Sequence, residues 1–226
     1  LESGQEHKEG QDWLSHPRYI VIEGPIGVGK TSLVNLLAGK FSARPMLEIA
    51  EENPFLHKFY RDMRHYAFQT QLYFLLSRYR QQLELSQQQL FDQTVVCDYL
   101  FAKDKIFAYM TLDDQELSLY EQIYPLLDSR LTRPDVVIFL QASTDVLMER
   151  IRIRGRDFEK SLSREYVNDL NEAYNYFFFN YRETPLLVIN TNSIDFVKNE
   201  EDLDDLARKI AQIKGGVEYY TPISDG

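Results

Sequence analysis

Gly24, Gly29, Lys30 and Thr31 are spaced as G-x-x-x-x-G-K-[ST], with a further glycine, Gly27, inside the loop. A loop of this pattern holds phosphates. Its glycines accept φ > 0, so the backbone N–H groups of the loop, including those at Val28 and Ser32, turn inward beside the start of a helix and form a cradle. Lys30 then supplies a point charge for the β- and γ-phosphates, and Thr31 a hydroxyl for Mg²⁺, so ATP and Mg²⁺ are the expected cofactors. Glu48 offers the proton acceptor that phosphoryl transfer to a hydroxyl requires. Asp98 follows an apolar run as a Walker-B acid does, and is the natural second partner of the metal. Arg150, Arg152, Arg154 and Arg156, extended by Lys160 and Arg164, concentrate positive charge in an acidic chain. Without the loop this cluster would be a solvated helix end; beside it, the cluster reads as a lid that neutralises the transferring phosphoryl group.

The elements that must position these groups are legible in the spacing. Tyr19 to Ile22 form a buried strand leading into the loop, and Leu33, Leu36, Leu37 and Phe41 mark one face of the helix after it. Arg44-Pro45 should break the chain, and a second strand over Met46 to Ala50 should carry Glu48 at its end. Helical spacing resumes at Phe55 to Arg64, and Tyr66 to Phe91, free of Gly and Pro, predicts a long helix with Gln71 and Arg78 on one face. Further strands are expected at Thr94 to Asp98, Pro134 to Leu140 and Leu186 to Asn190. Helices should cover Phe101–Met110, Asp113–Arg130, Asp145–Ile153 (capped by Ser143 or Thr144), Arg164–Tyr181 and Glu201–Ile213. Five apolar strands alternating with helices imply an α/β fold, a doubly wound five-stranded parallel sheet of the P-loop NTPase type covered on both faces, with ligands at the strand C-termini. The aromatic run Tyr174 to Tyr181 has helical spacing and is expected in the core or at a subunit interface.

One domain, 18–213, accounts for most of the 226 residues; 1–17 read as a disordered tail and 214–226 as a C-terminal tail. The net charge of −10 argues against nucleic acid and anionic membranes as partners, because a polyanion needs a basic face. A lone cysteine, Cys97, precludes an internal disulfide and suits a reducing compartment, and no apolar stretch reaches membrane-spanning length, so a cytoplasmic protein is expected.

From Arg18 to Ile213 the sequence resembles the deoxynucleoside kinase family, in particular its deoxyadenosine/deoxyguanosine and deoxycytidine kinases. The resemblance implies transfer of the ATP γ-phosphate to the 5′-hydroxyl of a deoxynucleoside by a homodimer acting in nucleotide salvage. It implies Glu48 as the base, Tyr60 on the sugar 3′-hydroxyl, Gln71 on the base edge with Gln69 as a competitor, and Arg78 and Asp104 flanking the nucleobase. Arg150, Arg154 and Arg156 then correspond to the lid arginines and Glu159 to their partner. The sequence departs from the family where an acid is usually followed by arginine: here Asp98-Tyr99-Leu100 stands, so either another arginine substitutes or turnover suffers. A nucleoside monophosphate kinase would need a second basic site, for which Arg61 and Arg64 are the candidates. A catalytically weak kinase-like subunit is the alternative from another class. A GTPase is disfavoured, because Asn192-Ser193-Ile194-Asp195 lacks the lysine of N-K-x-D.

Overall fold

A computed structural model describes residues 17–88, 93–192, 194, 196 and 199–221, without the side chains of 86–88 and 158. The expected N-terminal tail and the end of the helix expected to reach Phe91 fall outside the described residues.

Six parallel strands form one sheet in the order β2-β3-β1-β4-β5-β6. Strand β1 (Tyr19–Glu23) lies at its centre, paired to β3 (Val95–Cys97) on one side and β4 (Val136–Gln141) on the other. Its side chains alternate between two cores, as a strand covered on both faces requires. Ile20 and Ile22 pack with Leu33, Val34 and Leu37 of α1 (Lys30–Lys40) and with Leu147 and Ile151 of α6 (Thr144–Arg154). Tyr19 and Val21 pack on the opposite face with Leu170, Tyr174 and Phe178 of α7 (Arg164–Asn180). The strand order reverses at β1, which opens a crevice at the carboxyl end of the sheet where this loop and β3 both terminate.

Two strands differ from expectation, and both lie at sheet edges. Strand β2 is Arg44–Met46, so the Arg44-Pro45 pair lies within the strand rather than breaking the chain, and Glu48 stands beyond the strand end. An edge position tolerates proline because one row of N–H groups has no strand to serve. The sixth strand, β6 (Val217–Tyr220), pairs with β5 (Leu186–Asn190) in the stretch read as a C-terminal tail. Its mostly exposed or half-buried residues lack the apolar run that marks a central strand.

The remaining elements follow the expected order. Helix α2 (Leu56–Phe59) is short, α3 (Met63–Gln88) is long, and α4 (Asp104–Thr111) and α5 (Asp114–Asp128) precede β4. Ser143 caps α6, its hydroxyl accepting the Val146 N–H, and α8 (Glu200–Gln212) precedes β6.

Candidate active site

Gly24, at the exit of β1, has φ 153°, and a side chain there would meet the Leu140 carbonyl at 2.5 Å. Gly27 has φ 84°, and a side chain there would meet the Leu147 carbonyl of α6 at 2.9 Å, so the loop is wedged where only glycine fits. Gly29 precedes α1 with no side-chain cap, and the first N–H groups of that helix are open to an anion. Gly27, Val28, Gly29, Lys30, Thr31 and Ser32 line a cavity of about 710 Å³, together with Arg150, Arg154 and Arg156. Leu36, Ile194 and Phe196 are among its apolar lining residues. The Lys30 ammonium donates to the carbonyls of Gly24 (2.6 Å) and Pro25 (3.2 Å). Burial pulls its pKa down to about 8, with Glu23 opposing and Lys103 reinforcing the effect.

A second cavity, about 140 Å³, adjoins the first and shares Lys30, Thr31, Arg154 and Arg156 with it. Glu48, Tyr60, Gln71, Arg78, Asp98, Lys103 and Glu159 stand in its wall. Thus the structure brings the phosphate loop, the candidate base and the candidate base-reading residues to one place. Gln71 is buried and Gln69 exposed, which separates the two candidates on α3. Gln71 Nε2 donates to the Asp104 carbonyl at 2.7 Å.

Glu48 is held from two sides. Arg78 Nε donates to its Oε1 at 2.5 Å, and Lys103 Nζ to its Oε2 at 3.0 Å. Burial alone would raise its pKa, but these two cations hold the carboxyl down at about 2. The Glu48 N–H donates to Asp98 Oδ1 at 2.7 Å, while Asp98 Oδ2 accepts from the Thr31 hydroxyl at 3.1 Å. The end of β3, the start of α1 and the segment after β2 are therefore tied together through Asp98.

Asp104, expected beside the nucleobase, lies next to Arg78. It is fully buried and absent from the cavity wall; its Oδ1 accepts from Arg78 Nη1, so it steadies the arginine from behind. Burial pushes its carboxyl up to about 6 despite that partner. Arg78 joins the Glu48 and Asp104 carboxylates, a connection between the base and the specificity wall that sequence spacing does not reveal.

The basic cluster divides. Arg154 forms a two-pronged pair with the buried Glu159, at 3.1 and 2.5 Å, and Arg156 lies 3.3 Å from Glu51 and 3.8 Å from Glu159. Arg150 donates to the Val28 carbonyl (3.1 Å) and to Thr191 (3.0 and 2.7 Å), bracing the phosphate loop against the end of β5. Arg152, Lys160 and Arg164 instead pair with Glu149, Asp157 and Asp145 on the surface, outside both cavities.

Tyr99, where the resemblance leads one to expect arginine, is fully buried in the core beside Cys97 and Tyr19. No arginine takes that place: the cation beside Glu48 Oε2 is Lys103, one turn further along. Sequence reasoning missed it. The available signal was a lysine inside the apolar run Phe101-Ala102-Lys103-Asp104, where a cation is out of place unless paired.

The oxygens of Thr31 and Asp98 suit Mg²⁺, a hard ion that takes one or two protein oxygens and otherwise keeps water and phosphate ligands. Among the described residues no group of three or more His, Cys, Asp or Glu is arranged to hold a metal by itself. No described helix is long and apolar enough to cross a membrane.

The chain is 37% identical over 200 residues to deoxyguanosine kinase of Bacillus subtilis (strain 168), covering 86% of this chain and 97% of that one. It is 35% identical over 187 residues to deoxyadenosine kinase of Dictyostelium discoideum, covering 81% and 75% of the two chains. The solved structure of deoxyadenosine kinase from M. mycoides with bound dCTP superposes with a TM-score of 0.72 at 26% identity, over 86% of this chain and 99% of that one. The family model for deoxynucleoside kinase matches residues 20–214, and the chain belongs to the deoxynucleoside kinase family.

Proposed function

We propose that this deoxynucleoside kinase transfers the γ-phosphate of ATP to the 5′-hydroxyl of a purine deoxynucleoside or deoxycytidine, with Glu48 as proton acceptor. The observation that carries this reading is the shared wall of the two cavities: Lys30 and Thr31 border both, and Glu48 lies just beyond them. The apolar lining residues Leu36, Ile194 and Phe196 suit the adenine of ATP, and the loop N–H groups with Lys30 take its phosphates. Arg154 and Arg156 neutralise the transferring group, and Arg150 holds the loop in shape. Thr31 and Asp98 hold Mg²⁺, which when bound screens the phosphate charge.

Held at about 2, the Glu48 carboxyl is ionised at every working pH. It is a weak base, which suits a loose transition state in which the hydroxyl proton leaves late and orientation of the nucleophile matters most. Tyr60 takes the sugar 3′-hydroxyl, Gln71 and Arg78 face the base edge, and Glu159 keeps Arg154 over the site. A wall of amide and guanidinium groups matches the amino and ring-nitrogen pattern of adenine, guanine or cytosine. The 5-methyl group of thymine would leave polar groups unpaired, and sites of this kind reject misfits strongly.

Exposed aromatic residues on neighbouring helices, Tyr109 of α4 with Tyr176 and Phe179 of α7, support a homodimer covering that face. The lone buried Cys97 suits a cytoplasmic location. Arg61 and Arg64 are exposed and line neither cavity, which disfavours a nucleoside monophosphate acceptor.

The test is ADP release with ATP, Mg²⁺ and each of the four deoxynucleosides in turn. Turnover should be clear with at least one of deoxyguanosine, deoxyadenosine and deoxycytidine, and poorest with thymidine. Thymidine as the best substrate would contradict the specificity reading, and turnover only with monophosphates the acceptor reading.

A further inference from the structure

Lys103 closes the 3₁₀ turn Phe101–Lys103 and is 4% exposed, yet its ammonium makes a single hydrogen bond, to Glu48 Oε2, among the described residues. Burying an ammonium is costly unless it is well paired, and this group carries three N–H donors. Glu23, 3.9 Å away, does not require it. Oε1 of Glu23 already accepts from the Gly24 N–H (2.8 Å) and the Tyr174 hydroxyl (3.3 Å), and Oε2 from the Leu100 N–H (2.8 Å). Nor does Glu48 depend on it for pairing, because Arg78 already holds Oε1. A lysine kept only for packing would be replaceable by an apolar residue of its length. What distinguishes Lys103 is its place: it stands in the cavity wall with Lys30, Thr31 and Asp98, and its charge is felt at Lys30. The buried Lys103 and the half-buried Lys30 thus bring two ammonium groups to one cavity, and Lys103 has N–H donors beyond the one that Glu48 accepts.

We propose that Lys103 acts in the transfer step, fixing Glu48 with one N–H and offering its remaining donors to the phosphoryl group as it passes from ATP to the nucleoside. This rests on Glu48 as the base. In the step the 5′-oxygen bonds to the γ-phosphorus while the bond from that phosphorus to the β–γ bridging oxygen breaks. The bridging oxygen keeps the electron pair and leaves with ADP, and the hydroxyl proton passes to Glu48. Charge on the equatorial phosphoryl oxygens is what an unspent ammonium donor stabilises.

Lys103→Met, Lys103→Arg and Glu48→Gln, each checked for folding by thermal unfolding, test this with ATP, Mg²⁺ and the best deoxynucleoside. Lys103→Met should lower kcat by ~10²–10³, the loss typical of a removed transition-state donor, with nucleoside Kd changed less than about threefold. Lys103→Arg should retain kcat within about tenfold, since it keeps charge and donors. A folded Lys103→Met enzyme within threefold of wild-type kcat overturns the proposal while Glu48→Gln is inactive. If Lys103→Met does not fold, a folded but inactive Lys103→Arg overturns it instead. An active Glu48→Gln enzyme would place the failure with the base assignment.

Discussion

Replacing Arg78 by methionine removes the cation that joins two buried carboxylates. The Arg78 side chain is 4% exposed, Asp104 is fully buried, and Glu48 is 19% exposed. Glu48 keeps Lys103, so the loss falls mainly on Asp104, which has no other cation in contact among the described residues. Breaking a buried pair by removing one partner costs ~3–5 kcal/mol. Asp104 can escape part of this by taking up a proton, since burial already pushes it up to about 6, so the lower end of that range applies at pH 7. For a chain of this size ~1 kcal/mol shifts Tm by about 2–4 °C, which predicts a fall of roughly 6–12 °C for Arg78→Met. Arg78→Met combined with Asp104→Ala leaves no stranded carboxylate at that position and should recover about 1–3 kcal/mol, the range of coupling between contacting residues. Urea denaturation of wild type, both single variants and the double variant measures this coupling directly. Additive losses with no coupling would refute a buried Arg78–Asp104 pair. The same double variant should raise thymidine kcat/KM relative to deoxyadenosine. Its kcat should fall with every substrate, because Glu48 Oε1 loses its donor. An unchanged ratio would mean that the base is read elsewhere.

Lys30→Ala should lower kcat by ~10²–10³ in a folded protein, because the ammonium bonds only loop carbonyls when no phosphate is present; substantial turnover would defeat the phosphate-loop assignment. Hydrogen exchange over Arg150 to Arg164 should slow when ATP is added, as Arg154 and Arg156 exchange Glu159 and Glu51 for phosphates; equal exchange with and without ATP would remove the lid. An acid raised from its ordinary 3.8 to about 6 binds its proton more tightly when folded, so ionisation of Asp104 costs stability as pH rises between those values. Asp104→Asn, which cannot ionise, should therefore gain Tm relative to wild type from pH 4 to 6.5, and a constant difference would contradict this.

The central strands were legible because burial on both faces demands β-branched and aromatic runs, and Val136–Gln141 and Leu186–Asn190 supply them. Edge strands make weaker demands, which is why β2 with its Pro45 and the mostly exposed β6 were not anticipated. In the site, local pattern sufficed for the loop, for Gln71 and Arg78 one helix face apart, and for the arginines after β4. It could not show that Arg78 reaches Glu48, thirty positions away, or that Asp104 is fully buried against the same guanidinium. Lys103 and Tyr99 exchanged expectations for the same reason: which of two neighbouring side chains turns toward the cavity is decided by packing around the 3₁₀ turn.

The most direct test of the account is Glu48→Gln in a single-turnover assay with ATP, Mg²⁺ and the preferred deoxynucleoside, alongside calorimetric nucleoside binding. The substitution preserves shape and hydrogen bonding but removes the proton acceptor, so phosphoryl transfer should slow by ~10²–10⁴ while nucleoside Kd stays near wild type. A loss below about tenfold in the transfer rate, well short of what general bases contribute, would contradict Glu48 as the base.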